Sequence, residues 1–217
     1  MSRSSLAFVV ALLAHGASSC APPPEPPKPA RAPSLAFPSD EAAWLPFRSR
    51  RFRMKLRFPD GKRWAIRDHG RPELVAHDER TRSELIAERA YVGELVGRGD
   101  CESRARGRGL VPDTLSIVED AVVSIPRGYD ARFVAGVTVG ARAEDGVTGH
   151  AMLFAAFLRE CVTVHLATTA NAGEEAVIAQ RLAQARRQLF ERLEVDDERT
   201  GADLELPRQA PQPRDRR

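Results

Sequence analysis

Cysteine is scarce in this chain of 217 residues, with three in all, and tryptophan and tyrosine are scarcer still, with two each. Several disulfides in a cysteine-dense scaffold are therefore excluded. Long apolar runs are missing too. The stretch Leu6 to Ala14 near the amino terminus holds nine residues, whereas a bilayer-spanning helix needs about 20. Nor is there an excess of one charge: 33 Lys and Arg stand against 30 Asp and Glu. Absent as well are CxxC, HExxH, GxSxG and any glycine-rich phosphate loop. A chain of this length and this 42% hydrophobic content is expected to hold one folded domain.

What is present begins with an address. Arg3, the apolar stretch Leu6 to Ala14 and the small residues leading to Cys20 have the layout of a secretory signal over residues 1–20. Ala17-Ser18-Ser19-Cys20 resembles the lipobox of bacterial lipoproteins, with Ala17 where such signals usually carry Leu. The resemblance implies that Cys20 is lipidated and becomes the first residue of the mature chain. With Ala21 rather than Asp behind it, it implies the outer membrane, periplasmic face. The alternative is a secreted protein cleaved near Ala17 or Ser19. Residues 21–45 follow as a proline-rich linker, since nine prolines fall between Pro22 and Pro46 and fixed φ favours an extended spacer.

Residues 46–206 are expected to form a single α/β domain, and 207–217 a disordered basic tail. The domain carries 26 basic and 26 acidic residues, so the chain's basicity sits in Arg208, Arg214, Arg216 and Arg217. That distribution argues against a nucleic-acid partner. Within the domain, ten basic residues between Arg48 and Arg71 meet only Asp60 and Asp68. Arg51, Arg53, Lys55 and Arg57 alternate with Phe52, Met54, Leu56 and Phe58, the period of a half-buried strand. These four cations are candidates for contact with a partner or anionic lipid, or form the solvated face of an edge strand. Pro59-Asp60-Gly61 offers turn chemistry, and a β-hairpin is expected with Arg63 to Arg67.

Further along, Ser83 to Val96 partly fits a strand through Leu85, Ala87 and Tyr91 and partly a helix through Leu85, Ile86, Arg89, Val92 and Val96; the reading favoured is a strand through Ala90, followed by a short helix at Asp100 to Arg106. Arg104 to Gly109 reads as an exposed loop. Ala121 to Ile125, Arg132 to Ala141, Val147 to Leu158 and Cys161 to Thr168 read as strands of an antiparallel meander, with Glu144-Asp145-Gly146 as one of its turns. Ala151 to Leu158 is apolar on both faces, as a central strand covered on both sides should be. Asn171 and Glu174 have the spacing of a capping box. Ile178, Leu182, Ala185, Leu189 and Leu193 then make one apolar stripe, with Arg181, Arg186, Arg187 and Arg192 pointing elsewhere. The fold class expected is α+β, mainly antiparallel sheet with a long C-terminal helix packed on it.

The turn Pro126-Arg127-Gly128-Tyr129, the meander and the closing helix together are similar to the α/β/α sandwich of the PsbP family and its bacterial relatives, over about Ala121 to Asp196. Those families serve mostly as binding or assembly factors, so the resemblance implies a binding role and carries no site residue with it.

Cys101 and Cys161 form an even pair in an exported chain, and a disulfide is expected between them. In the chain-entropy model it is worth roughly 3 to 4 kcal/mol. Cys161 and His165 are too far apart along a strand to form a nucleophile and base. His69, His77 and His150 read as isolated, and neither metal nor cofactor is expected. The acidic pairs Glu119-Asp120, Glu174-Glu175 and Asp196-Asp197 have structural accounts as strand faces and helix starts. The reading is thus an envelope lipoprotein that binds a protein partner or envelope component without catalysis. A small exported hydrolase and a structural protein touching anionic lipid are the alternatives.

Overall fold

The computed structural model describes residues 32–140 and 146–196. The signal segment with Cys20, most of the proline-rich run, Glu144-Asp145, Asp197 and the basic tail lie outside the described residues.

Ten strands and two α-helices make up the described fold. A three-stranded antiparallel sheet is ordered β1 (Trp44–Ser49), β2 (Met54–Pro59), β10 (Glu194–Val195). A seven-stranded sheet runs β3 (Ala65–Arg67), β4 (Leu74–Asp78), β5 (Ser83–Tyr91), β9 (Glu160–Ala170), β8 (Val147–Phe157), β7 (Tyr129–Val139), β6 (Ser116–Ile125), and every pairing in it is antiparallel. Helix α1 (Arg98–Gly107) packs on one face of this sheet and α2 (Glu175–Ala185) on the other.

The expected long C-terminal helix is corrected by this architecture. The α-helix stops at Ala185, and the turn Arg186–Phe190 continues it in π geometry. The wider turn brings Leu189 and its neighbour Phe190 both into the core, which a regular helix with one narrow stripe does not do. Leu193, read as the end of the stripe, lies beyond the helix, and the chain then enters β10 beside β2.

The hairpin expected around Pro59 to Gly61 is also corrected. Asp60 takes a left-handed conformation, φ 46° and ψ 47°, and a 3₁₀ turn Gly61–Arg63 follows. Together they swing the chain out of one sheet and into the other, so β2 pairs with β1 while β3 pairs with β4. The alternation itself holds in β2: Met54, Leu56 and Phe58 are buried. Arg51 to Arg53 belong to the preceding turn, with φ 51° at Arg53. Arg104 to Gly107, expected in a loop, close α1.

The folded unit begins earlier than Pro46. Residues 32–45, expected as part of the linker, pack against the body, with Phe37 and Trp44 buried and their rings 5.7 Å apart edge to face. The capping pair is used for this docking. Asn171 Nδ2 donates to Ala32 O at 2.9 Å, and both oxygens of Glu174 accept from the Ser34 N–H at 3.0 and 3.3 Å. The helix accordingly starts one residue after Glu174 rather than after Asn171.

The main core lies between the seven-stranded sheet and α2. A Cβ at Gly149 would come within 2.5 Å of Ile178 Cγ2, so glycine there lets the helix lie directly on β8. Arg181, expected to face solvent, is fully buried in this layer. Its guanidinium donates to Thr81 O at 2.8 Å, Thr168 Oγ1 at 2.7 Å, Thr169 O at 3.0 Å and Leu35 O at 2.7 Å, and stacks over the Phe37 ring. Burial, reinforced by Arg82 nearby, pushes its pKa down to about 10. Arginine suits the position because its fork reaches four acceptors that no shorter side chain could satisfy together.

Candidate functional site

The opposite face of the sheet divides into a covered half and an open half. In the covered half, Cys101 and Ala105 of α1 meet Val134, Met152, Phe154, Ala156 and Cys161. Cys101 and Cys161 are joined by a disulfide, with Cα atoms 5.4 Å apart, and both residues are buried. Around it, Arg132 binds Glu102 and Asp120, and Arg108 binds Glu73 and Glu88. The short helix is thus held by one covalent bond and a rim of ion pairs, with little apolar area of its own.

The open half is polar. Register places His77, Glu84, Ala167 and His150 in one row across β4, β5, β9 and β8, with His165 beside them on β9. His150 Nδ1 lies 3.0 Å from His165 Nε2, the rings stack at 5.3 Å, and His150 Nε2 meets Thr138 Oγ1 at 2.9 Å. Burial lowers the pKa of His150. Burial, then the charge of His150, pushes His165 down to about 4. Both shifts favour the neutral imidazole, in which one ring N–H can be shared between the two. The reading of His150 as isolated is corrected: the β8–β9 hairpin brings it to His165. The cue in the sequence was their like parity about the turn Leu158-Arg159 between the two strands. A hollow of about 370 Å³ opens next to the pair, lined by His77, Glu79, Arg82, Glu84 and Thr169 among others. Among the described residues no three His, Cys, Asp or Glu side chains come together as metal ligands.

The four candidate cations lie in and before β2, the middle strand of the small sheet rather than an edge. Lys55 Nζ is 2.7 Å from Glu194, and Arg57 is 3.2 Å from Glu41. Arg51 donates to Asp68 O at 3.1 Å and lies over the Phe52 ring, while Arg53 accepts Asp196 N–H at its carbonyl, 2.7 Å away. Lys55 thus presents a neutralised pair and Arg57 shares Glu41 with Arg192, where the sequence shows only positive charge.

A separate apolar patch escapes sequence reasoning because Leu158 lies far along the chain from Tyr91 and Leu95. Val92 and Val96 donate their N–H groups to Arg159 O and Leu158 O at 2.8 and 2.9 Å, which draws the end of β5 and its following loop against the β8–β9 turn. Tyr91, Leu95 and Leu158 are left exposed there, Leu95 by 73%.

These features define an α+β domain of two antiparallel sheets with a disulfide-held helix. Similar solved structures include the Ran-binding protein Mog1p of Saccharomyces cerevisiae, with a TM-score of 0.52 and 9% identity over 70% of this chain and 95% of that one. They also include cyanobacterial PsbP (CyanoP) from Synechocystis, with a TM-score of 0.45 and 12% identity over 71% and 94% of the two chains. A protein from Bacteroides thetaiotaomicron gives 0.42 and 11% identity over 72% of this chain, which spans 50% of that chain's length. The likeness to Mog1p shows a shared fold and nothing of activity. No protein-family model and no curated protein sequence matches the chain.

Proposed function

We propose that the protein is an exported envelope lipoprotein, anchored through Cys20, that acts by binding a protein partner rather than by catalysis. The exposed cluster Tyr91, Leu95 and Leu158 carries the binding half of this reading. Apolar side chains gathered at one end of a water-facing domain mark an interaction surface. Tyr91, whose hydroxyl accepts from Arg159 at 3.4 Å, adds the amphipathic ring that interfaces favour. The buried Cys101–Cys161 disulfide supports the compartment half, because such bonds persist in oxidising surroundings such as the periplasm.

Mass spectrometry of the mature chain tests the anchor. The expected product begins at Cys20 and carries diacylglyceryl and acyl mass. An unmodified terminus at another residue overturns the anchor. Photo-crosslinking from Leu95 and Leu158 in intact cells tests the binding surface, with a discrete adduct expected from both positions and none from the exposed Glu94 beside them. Uniform labelling from all three removes the patch from consideration.

A further inference from the structure

The two edges of the seven-stranded sheet are built differently. β3 has three residues, follows Arg63 and ends on Arg67, the short and charged edge that discourages pairing between molecules. β6 has ten residues, contains no Lys, Arg or Pro, and among the described residues pairs on one side only, with β7. Ile117, Val118 and Val122 on it are exposed, Val122 by 69%. Its two acids each meet an arginine, Glu119 with Arg186 and Asp120 with Arg132, and these arginines are shared with Glu191 and Glu102 respectively. A hollow of about 340 Å³ lined by Arg98, Gly99, Asp120, Val122 and Arg132 leaves the strand accessible on its α1 side.

We infer that β6 is a self-pairing edge: two copies of the chain join antiparallel through it, about a two-fold axis at Val122, into one continuous sheet. The register follows from the strand itself. A bulge between Ile117 and Glu119 ends the regular stretch on one side and the 3₁₀ turn at Pro126 ends it on the other. The middle of the regular stretch, Glu119 to Ile125, is Val122. Side chains directly opposite must share a sheet face, so the axis falls on a residue. An axis at Glu119 or Asp120 sets like acids against each other, which is destabilising. At Val122 it sets Val122 against Val122, Ala121 against Val123, Asp120 against Ser124 and Glu119 against Ile125, with no acid facing an acid. The pairing does not depend on the anchor or on the apolar patch at Leu95.

The test uses the full chain carrying Cys20→Ser, so that introduced thiols are the only free ones. Val122→Cys is expected to give a disulfide-linked dimer on mild oxidation, since opposed Cβ atoms lie about 4.5 to 5.5 Å apart, and Leu95→Cys is expected to give no cross-linked dimer. In sedimentation, Val122→Lys and Val122→Glu each weaken self-association by about tenfold or more, by setting like charges across the axis, while an equimolar mixture of the two restores a dimer. Restoration by opposite charge is a signature of self-pairing that a folding defect cannot produce, and unchanged circular dichroism checks the exposed substitutions. A parent chain that sediments as a monomer, or equal cross-linking from Leu95→Cys and Val122→Cys, overturns the inference. So does a dimer that neither charge variant weakens.

Discussion

The two faces of the seven-stranded sheet solve the same problem with different materials. Against α2 the sheet presents Leu85, Ala87, Phe133, Leu153, Val164 and Leu166, and the helix answers with Ile178, Leu182 and Ala185. Each large side chain buried there contributes about 1.5 to 3 kcal/mol, so packing alone seals that face. Helix α1 offers only Cys101 and Ala105 to its core, and the disulfide and ion pairs do the holding. The lesson is that a helix with a poor apolar stripe can still cover a sheet where covalent restraint replaces area.

The sharpest way to break the comparison is at Arg181, a fully buried cation on the apolar side. Arg181→Met keeps the stem and removes the guanidinium donor from Leu35 O, Thr81 O, Thr169 O and Thr168 Oγ1, of which Thr81 O and Thr168 Oγ1 keep a contact with the Ser83 hydroxyl. We expect a loss of about 3 to 5 kcal/mol in urea unfolding. Next is the disulfide. The double variant Cys101→Ala, Cys161→Ala is expected to lose about 3 to 4 kcal/mol. Hydrogen exchange should rise first in residues 98–107 while the strands under α2 stay protected; uniform loss of protection would show that the faces are one cooperative unit.

The histidine pair gives a pH dependence of known sign. His165 titrates near 4 in the folded chain, against 6.5 for an ordinary histidine, so folding favours its neutral form. Its contribution is complete above about pH 6.5 and is lost as pH falls towards 4, by at most about 3 kcal/mol at about 1.4 kcal/mol per unit. His150, shifted in the same direction, adds to the loss. Thermal melting from pH 7 to 4 checks this, and His165→Gln should flatten the profile. The smallest effect is expected at the surface pair Lys55 and Glu194, where Lys55→Ala should change stability by under about 1 kcal/mol.

How much of this was legible depended on whether the signal was local. The alternation at Met54, Leu56 and Phe58, the two-sided apolarity read over Ala151 to Leu158, which holds to Ala156 and fails at the exposed Leu158 beyond the end of β8, and the Cys101–Cys161 pairing were readable because periodicity and cysteine count reflect them directly. Arg181 was not: an arginine between apolar positions reads as solvent-facing, and its acceptors Leu35, Thr81, Thr168 and Thr169 come from segments that only the fold brings together. The capping box failed for the same reason, since Asn171 and Glu174 have a better use in docking residues 32–34. The separation of β2 from β3 rests on one left-handed residue, Asp60, which turn chemistry announces without giving its direction. At the candidate sites, Lys55 and Arg57 were identifiable as cations but their acids, Glu194 and Glu41, lie in remote segments. The patch of Tyr91, Leu95 and Leu158 had no local signature at all.

The docking of residues 32–37 has a mechanical consequence. Any pull on the chain from upstream of residue 32 enters the domain through Asn171, Glu174, Gln180 and Arg181, which grip Ala32, Ser34, Leu35 and Phe37. Glu174 to Arg181 belong to α2 or its cap, and Arg181 ties on to Thr168 and Thr169 of β9. Load is therefore spread over several bonds and delivered to an inner strand, so the domain resists tension at its entry point instead of unravelling from its first strand.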